Sequence, residues 1–361
     1  LGYGNTIDFL QEIHVVYSDG NSGSLCNMRN SVVNKKFNNA TNEKLMKNLF
    51  NLLSSYSDAI QKRYPKVTKN SSGYRLDAVI SDEGFSPQKI FAASEGTLGI
   101  VTCAKMRIMD IPLYRHLIVL GFEDLLSALY VVPLILQFFP IALEMLDHTV
   151  FCSGENKQKF SGEKSIGCLL FVEFAGDKMT NVERNVELFK SKLSYRCNII
   201  ESATDEQSMV RIWQARKSAL NHVMKLTFGR RKPIGLIEDT VVNPNLLHDY
   251  TQYLQQKYIQ DKLDYVMYGH VGDGNLHTRP LIDMDSKSEI ELIERLAHDV
   301  FNKVIRAGGT ITGEHGDGLA RVKYIKYMYG SKIFSLFREI KALFDPKFIM
   351  NPGKKVIELT S

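Results

Sequence analysis

Apolar positions along the chain change period several times, and each change marks an element. From residue 8 to 18, DFLQEIHVVYS runs into Asp19-Gly20, which predicts a strand entering a hairpin turn. Over 41–65, Leu45, Leu49, Leu52, Leu53, Tyr56 and Ile60 recur at helical spacing until Pro65 stops them. The stretch LGIVTCAKMRIMDIP (98–112) alternates like a strand as far as Pro112, which places a domain boundary there. The division expected is therefore 1–111 and 112–361.

Beyond the boundary, strands and helices succeed one another. GCLLFVEFAG (167–176), RCNIIES (196–202), IGLIED (234–239) and LDYVMYG (263–269) read as strands. Helices are expected over 180–193, opened by Thr180, and over 243–260. A longer helix follows Ser286, whose SKSE reads as a capping box. It runs through Ile290, Ile293, Leu296, Val300, Phe301 and Val304 to the stop at Gly308-Gly309. Helices of this length between strands predict an α+β fold with helices over one face of a sheet. The Asn/Lys/Ser-rich stretch 28–42 reads as an exposed excursion.

Composition narrows the class. With 361 residues, 44% hydrophobic and 24% charged, the chain suits one large or two medium globular domains. A net charge of +5 without a basic run gives no sign of nucleic-acid binding. Five dispersed cysteines, none in a CxxC pair, argue against an iron–sulfur or zinc-ribbon site. They suit reduced thiols in the cytoplasm. No signal peptide is visible, and the first residue, leucine, suggests a processed, truncated or partial product. The charge-free run 125–143 contains Pro133 and Pro140, so it reads as a buried helix stopping near Pro133 followed by a second buried segment.

The chemistry concentrates in two glycine-flanked motifs, YGHVGDGNLHTRP (268–280) and TGEHGDG (312–318). Gly272 and Gly274 permit a tight turn between His270 and His277, which would return the second imidazole to the first. Glu314 and His315 follow the strand-like GTIT. Two imidazoles and a carboxylate can hold a divalent metal, and histidine can act as acid or base. Histidines near glycines can equally be turn residues bonded to backbone, and the residues alone leave both readings open. Arg216, in IWQARKSAL, and Arg279, two residues after His277, are the best placed cations for a substrate carboxylate; Arg211, Lys217 and the Arg230–Lys232 run read as surface charge. SEGTLGIVT (94–102) is a small-residue turn whose backbone N–H groups could approach a phosphate or a flavin edge. It is neither a dinucleotide fingerprint nor a P-loop.

Taken in order, NSSGYRLD, ASEGTLGIVT, ALEMLD, IEDTVV, GHVGDGNLHTRP, GGTITGEHGDG and ALFDPKFIMNPGK resemble the FAD-linked oxidases of the vanillyl-alcohol-oxidase type. Within them the D-2-hydroxyacid dehydrogenases are most similar, a group that includes glycolate oxidase flavoprotein subunits and D-lactate and D-2-hydroxyglutarate dehydrogenases. The resemblance implies the second half of a FAD-binding domain followed by a cap with a ferredoxin-like antiparallel sheet covered by helices. It places Gly73, Tyr74, Ser94, Glu95, Gly96, Thr97, Gly99, Ile100 and Asn351 beside FAD. It makes His270, His277 and Glu314 ligands of zinc or manganese, His315 the base, and Arg216 a holder of the substrate carboxylate. Arg279 stands where several metal-dependent relatives carry Asn, so substrate contacts are expected to differ there.

The activity implied is oxidation of a D-2-hydroxy acid to the 2-oxo acid, with hydride going to flavin N5 and electrons passing to a protein or quinone acceptor. The family's half that grips the FAD pyrophosphate is not among these motifs, so a separate N-terminal FAD-binding half is an expected partner. A cytoplasmic location follows, with peripheral attachment at the inner membrane face as its variant. The alternatives are a non-catalytic paralogue or subunit of a split enzyme, and a flavin-independent metal hydrolase, which leaves SEGTLG unexplained.

Overall fold

A computed structural model describes residues 1–28, 43–151, 166–223, 227 and 229–357. The expected excursion at 28–42 lies outside the described residues from position 29 onward. The chain forms two compact units. A split unit takes Gly4–Met109 together with Thr310–Ser361, and a central unit takes Leu1–Tyr3 with Asp110–Gly309. These are not the consecutive blocks 1–111 and 112–361. The Gly318–Phe344 helix packs on helices Glu43–Ser55 and Ser57–Arg63, contacts between positions far apart in the chain.

In the split unit, β1 (Leu10–Val16) pairs antiparallel with β2 (Ser22–Cys26) across the turn at Gly20, whose φ is +83°. The short strands β3 (Ile80–Ser81) and β4 (Gly84–Phe85) form a separate hairpin, and β5 (Ile100–Met106) closes the three-stranded order β2–β1–β5. The expected 41–65 helix breaks at Tyr56 into Glu43–Ser55 and Ser57–Arg63. It buries Met46, Leu49, Leu53 and Ile60, so Met46 is in the core where Leu45 and Leu52 are only half-buried. The Gly318–Phe344 helix has non-helical backbone at Gly330 and brings Tyr329 and Phe337 into an aromatic cluster with Tyr64 and Tyr74.

The central unit is built on one antiparallel sheet. Its strands are β6 (Tyr114–Phe122), β7 (Ala142–Asp147), β8 (Cys168–Gly176), β9 (Asn198–Ala203), β10 (Lys232–Pro233), β11 (Thr240–Val241), β12 (Tyr265–His270) and β13 (Asn275–Ile282). Their order is β10–β13–β12–β7–β8–β6–β9, with β11 also on β13. The part β7–β8–β6–β9, with a helical crossover after β6 and after β8, has the ferredoxin-like arrangement expected from the motifs. Helices cover both faces, not one. β8 buries its first seven residues without alternation, as a strand covered on both sides must. Phe174 meets Phe189 of the Met179–Leu193 helix, whereas Phe171 stacks on Trp213 of the Glu206–Val223 helix.

Several local expectations change. Helix Leu125–Tyr130 ends before Pro133, which opens the next helix, Val132–Leu136; the uncharged run then enters β7. Among the described residues no helix is long and apolar enough to cross a membrane. Lys178, not Thr180, sits at the N-cap of the 179–193 helix. Ser286 does cap Lys287–Arg306, but Glu289 accepts from the Asp283 amide at 2.8 Å and binds Arg231. IGLIED is not a strand; it crosses irregularly from β10 to β11, with Asp239 at φ +68°. GTIT is likewise irregular.

Candidate active site

In the central unit the β12–β13 hairpin sets the first group. A one-turn 3-10 segment, Val271–Asp273, leads to Gly274 at φ +71°, and β13 returns with Tyr268 opposite His277 and His270 opposite Asn275. A Cβ on Gly274 would lie 1.8 Å from the Val242 carbonyl oxygen, so this turn requires glycine. Residues two apart on a strand share a face. Tyr268 and His270 therefore stand beside Asn275, His277 and Arg279. The two imidazole rings meet edge to face, 5.3 Å between centroids.

Three carboxylates that the sequence left unassigned join this group, two of them at the rings and one at Arg279. β7 pairs Leu146 with Tyr268, so Glu144, two residues earlier, comes opposite His270. Its oxygens lie 2.7 and 2.8 Å from His270 Nδ1, and it also pairs with Arg216 on the Glu206–Val223 helix. Arg216 Nε is buried and has no hydrogen-bond partner among the described residues. The irregular 234–239 crossing delivers the other two carboxylates. Glu238 pairs with Arg279, and fully buried Asp239 lies 4.0 Å from His277 Nδ1. Asn275 holds Asp239 by donating its side-chain amide at 3.0 Å. Burial pushes the Tyr268 hydroxyl pKa up, while neighbouring Arg279 opposes the shift. Both expected arginines thus have carboxylate partners within the protein. The available signal was an acid inside an apolar strand, ALEMLD, and an acidic pair closing IGLIED.

The split unit holds the second group. In the Ser94–Gly99 turn, Thr97 Oγ1 donates to the Ser94 carbonyl at 2.7 Å and lies 2.8 Å from the Tyr74 hydroxyl, itself wholly buried. A Cβ on Gly96 would meet nothing within 4 Å, so the backbone there is open to a flat ligand edge. Gly99 instead lies tight on β1, where a Cβ would come 2.6 Å from Val15. Gly73, at φ +59°, packs so close to Phe337 that no side chain fits, and Ile100 is exposed. The Asn351 side chain donates to the Glu95 carbonyl at 2.5 Å. Glu314 accepts from Lys69 at 3.0 Å, and His315 Nε2 lies 3.8 Å from a Glu314 oxygen. The residues expected beside FAD are thus gathered in one unit, with Glu314 and His315; His270, His277, Arg216 and Arg279 belong to the other.

Residues 111–355 match the family model "FAD linked oxidases, C-terminal domain". The chain belongs to this family. It is 32% identical over 321 residues to a D-2-hydroxyglutarate dehydrogenase of Haemophilus influenzae, covering 84% of this chain and 31% of that protein. It is 30% identical over 292 residues to glycolate oxidase subunit GlcD of Bacillus subtilis, covering 80% of this chain and 58% of that protein. The FAD-linked oxidase stretch thus spans less than two thirds of the relatives it matches. A 4-ethylphenol oxidase from Gulosibacter chungangensis has the same fold, with a TM-score of 0.61 at 13% identity, over 99% of this chain and 67% of that one. The family and the vanillyl-alcohol-oxidase-type α+β fold expected from the seven motifs are therefore both established.

Proposed function

We propose that this FAD-linked oxidase chain carries the substrate side of a metal-assisted oxidation of a D-2-hydroxy acid to the 2-oxo acid. The observation that carries the reading is the Arg216–Glu144–His270 relay beside His277. A carboxylate on Nδ1 fixes the tautomer and direction of an imidazole, which leaves Nε2 as the nitrogen to meet a metal. The donor set suits zinc or manganese, and the open backbone at Gly96 suits FAD. When bound, FAD supplies the two-electron oxidant and the metal the Lewis acidity that eases loss of the hydroxyl proton.

His270 and His277 are the ligands proposed from the central unit. Glu314 as third ligand and His315 as base rest on the order of motifs. Loss of the C2 hydrogen with its electron pair leaves the hydroxyl proton to be taken, and neutral His315 accepts it. Arg216 orients the substrate carboxylate through its remaining donors while Glu144 limits its net charge. The hydroxy acid, and the protein or quinone that receives the electrons, belong to the same proposal. So does the cytoplasmic placement, which rests on cysteine usage.

The test is anaerobic addition of D- and L-lactate, glycolate and D- and L-2-hydroxyglutarate to the full-length protein loaded with FAD and either metal. Bleaching of the flavin band by D but not L acids is expected, and its loss in His315→Asn with metal content retained. A protein that takes up FAD and metal yet is bleached by none of these acids would refute the reading.

A further inference from the structure

We infer that Lys355, Asp317 and Glu95 act as positioning residues that lock the Ser94–Gly99 turn and the 313–318 loop into one body; their importance for catalysis rests on the function proposed above. Lys355 is 0% exposed, yet it is charged and bonds three ways. Its ammonium lies 2.9 Å from Asp317 Oδ2 and 3.0 Å from Glu95 Oε1, and donates to the Ser71 carbonyl at 2.8 Å. Asp317, also fully buried, accepts from the Ser72 hydroxyl and the Gly73 amide, both at 2.8 Å. Glu95 accepts from the Asp317 amide at 2.7 Å and from the Gly318 amide at 3.1 Å.

Four segments remote in sequence, at 71–73, 94–95, 316–318 and 355, therefore share one charge cluster. Steric fit tightens the connection, since a Cβ on Gly316 would lie 2.6 Å from a Glu95 oxygen. The family resemblance places Glu95 beside the cofactor, but its carboxylate is directed at the histidine-bearing loop. A second buried cation repeats the device. Lys341 donates to the Thr97 and Met350 carbonyls, each at 2.7 Å, and pairs with Asp345 at 2.5 Å, tying the same turn to the segment that ends in Asn351. Burying ions in place of well-packed apolar groups adds little stability, so the gain from such a cluster is fixed geometry. Here that geometry joins the open backbone at Gly96 to the loop that carries Glu314 and His315.

The test is hydrogen–deuterium exchange of the full-length protein without substrate, comparing wild type with Lys355→Met. Exchange over 94–99 and 313–318 is expected to quicken together by about tenfold or more, while β1 and β2 keep their protection. Lys355→Arg, which retains the cation, should return both segments toward wild type. Quickening confined to one segment, spread over the whole unit, or absent would overturn the inference. If Lys355→Met does not fold, Asp317→Asn is judged by the same criteria. Because no substrate or flavin reduction enters this measurement, coupled loops in a protein that oxidises no hydroxy acid would refute the functional reading alone.

Discussion

Replacing Glu144 with Gln separates two jobs done by one carboxylate. Gln keeps the size of the side chain and one acceptor oxygen, but removes the negative charge that faces Arg216 and supports His270 at Nδ1. Both members of the ion pair are 15% exposed, so the arginine left behind is desolvated but not sealed from water. Removing one partner of a wholly buried pair costs about 3–5 kcal/mol, and this residual exposure lowers the expected loss to about 2–3 kcal/mol. The second effect is on metal affinity, which should fall about 10–100-fold once the imidazole loses its carboxylate support. The double variant Glu144→Gln/Arg216→Met removes the stranded charge, so it should recover most of the stability and none of the affinity. Denaturant unfolding and calorimetric titration with zinc and manganese measure the two quantities independently. Glu144→Gln with wild-type metal affinity would refute the orienting role, and unchanged stability would refute the buried pair.

Two further outcomes follow from the central unit. Gly274→Ala places a Cβ against the Val242 carbonyl at a positive φ. It should destabilise by about 3 kcal/mol and reduce metal binding by parting the two histidines, both readable by titration of a folded variant at low temperature. Asp147 is buried, and desolvation raises its carboxyl pKa above the ordinary value despite bonds from the His148 amide and Thr149. A folded pKa above the unfolded one means that stability is greatest below the unfolded pKa of 3.8 and declines as pH rises through the folded value. Asp147→Asn should therefore stabilise the protein at neutral pH, with the gain vanishing toward acid; a gain independent of pH would contradict that assignment.

How far the sequence reaches can be seen residue by residue. Strand and helix periods, the Gly20 and Gly274 turns and the Ser286 cap are local properties, written in the spacing of side chains along a few turns or pleats. They were enough for the return of His277 to His270, whereas the ferredoxin-like sheet was implied by the resemblance that the motifs carry in order. The failures share one cause. Tyr56 breaks a helix that its periodicity continues, and IGLIED gives up strand geometry so that Glu238 can reach Arg279 and Asp239 can approach His277. Glu144, read only as part of a motif, meets His270 through the β7–β12 register and Arg216 through the Glu206–Val223 helix. A carboxylate placed inside an apolar strand is costly unless a remote cation or ring compensates it, and no spacing rule names that partner. The same holds for Lys355, an ordinary charge after NPGK until burial and three converging acceptors determine its role. Local pattern determined the elements and the donor types. Tertiary packing decided which charges meet, because pairing depends on distances that chain separation does not encode.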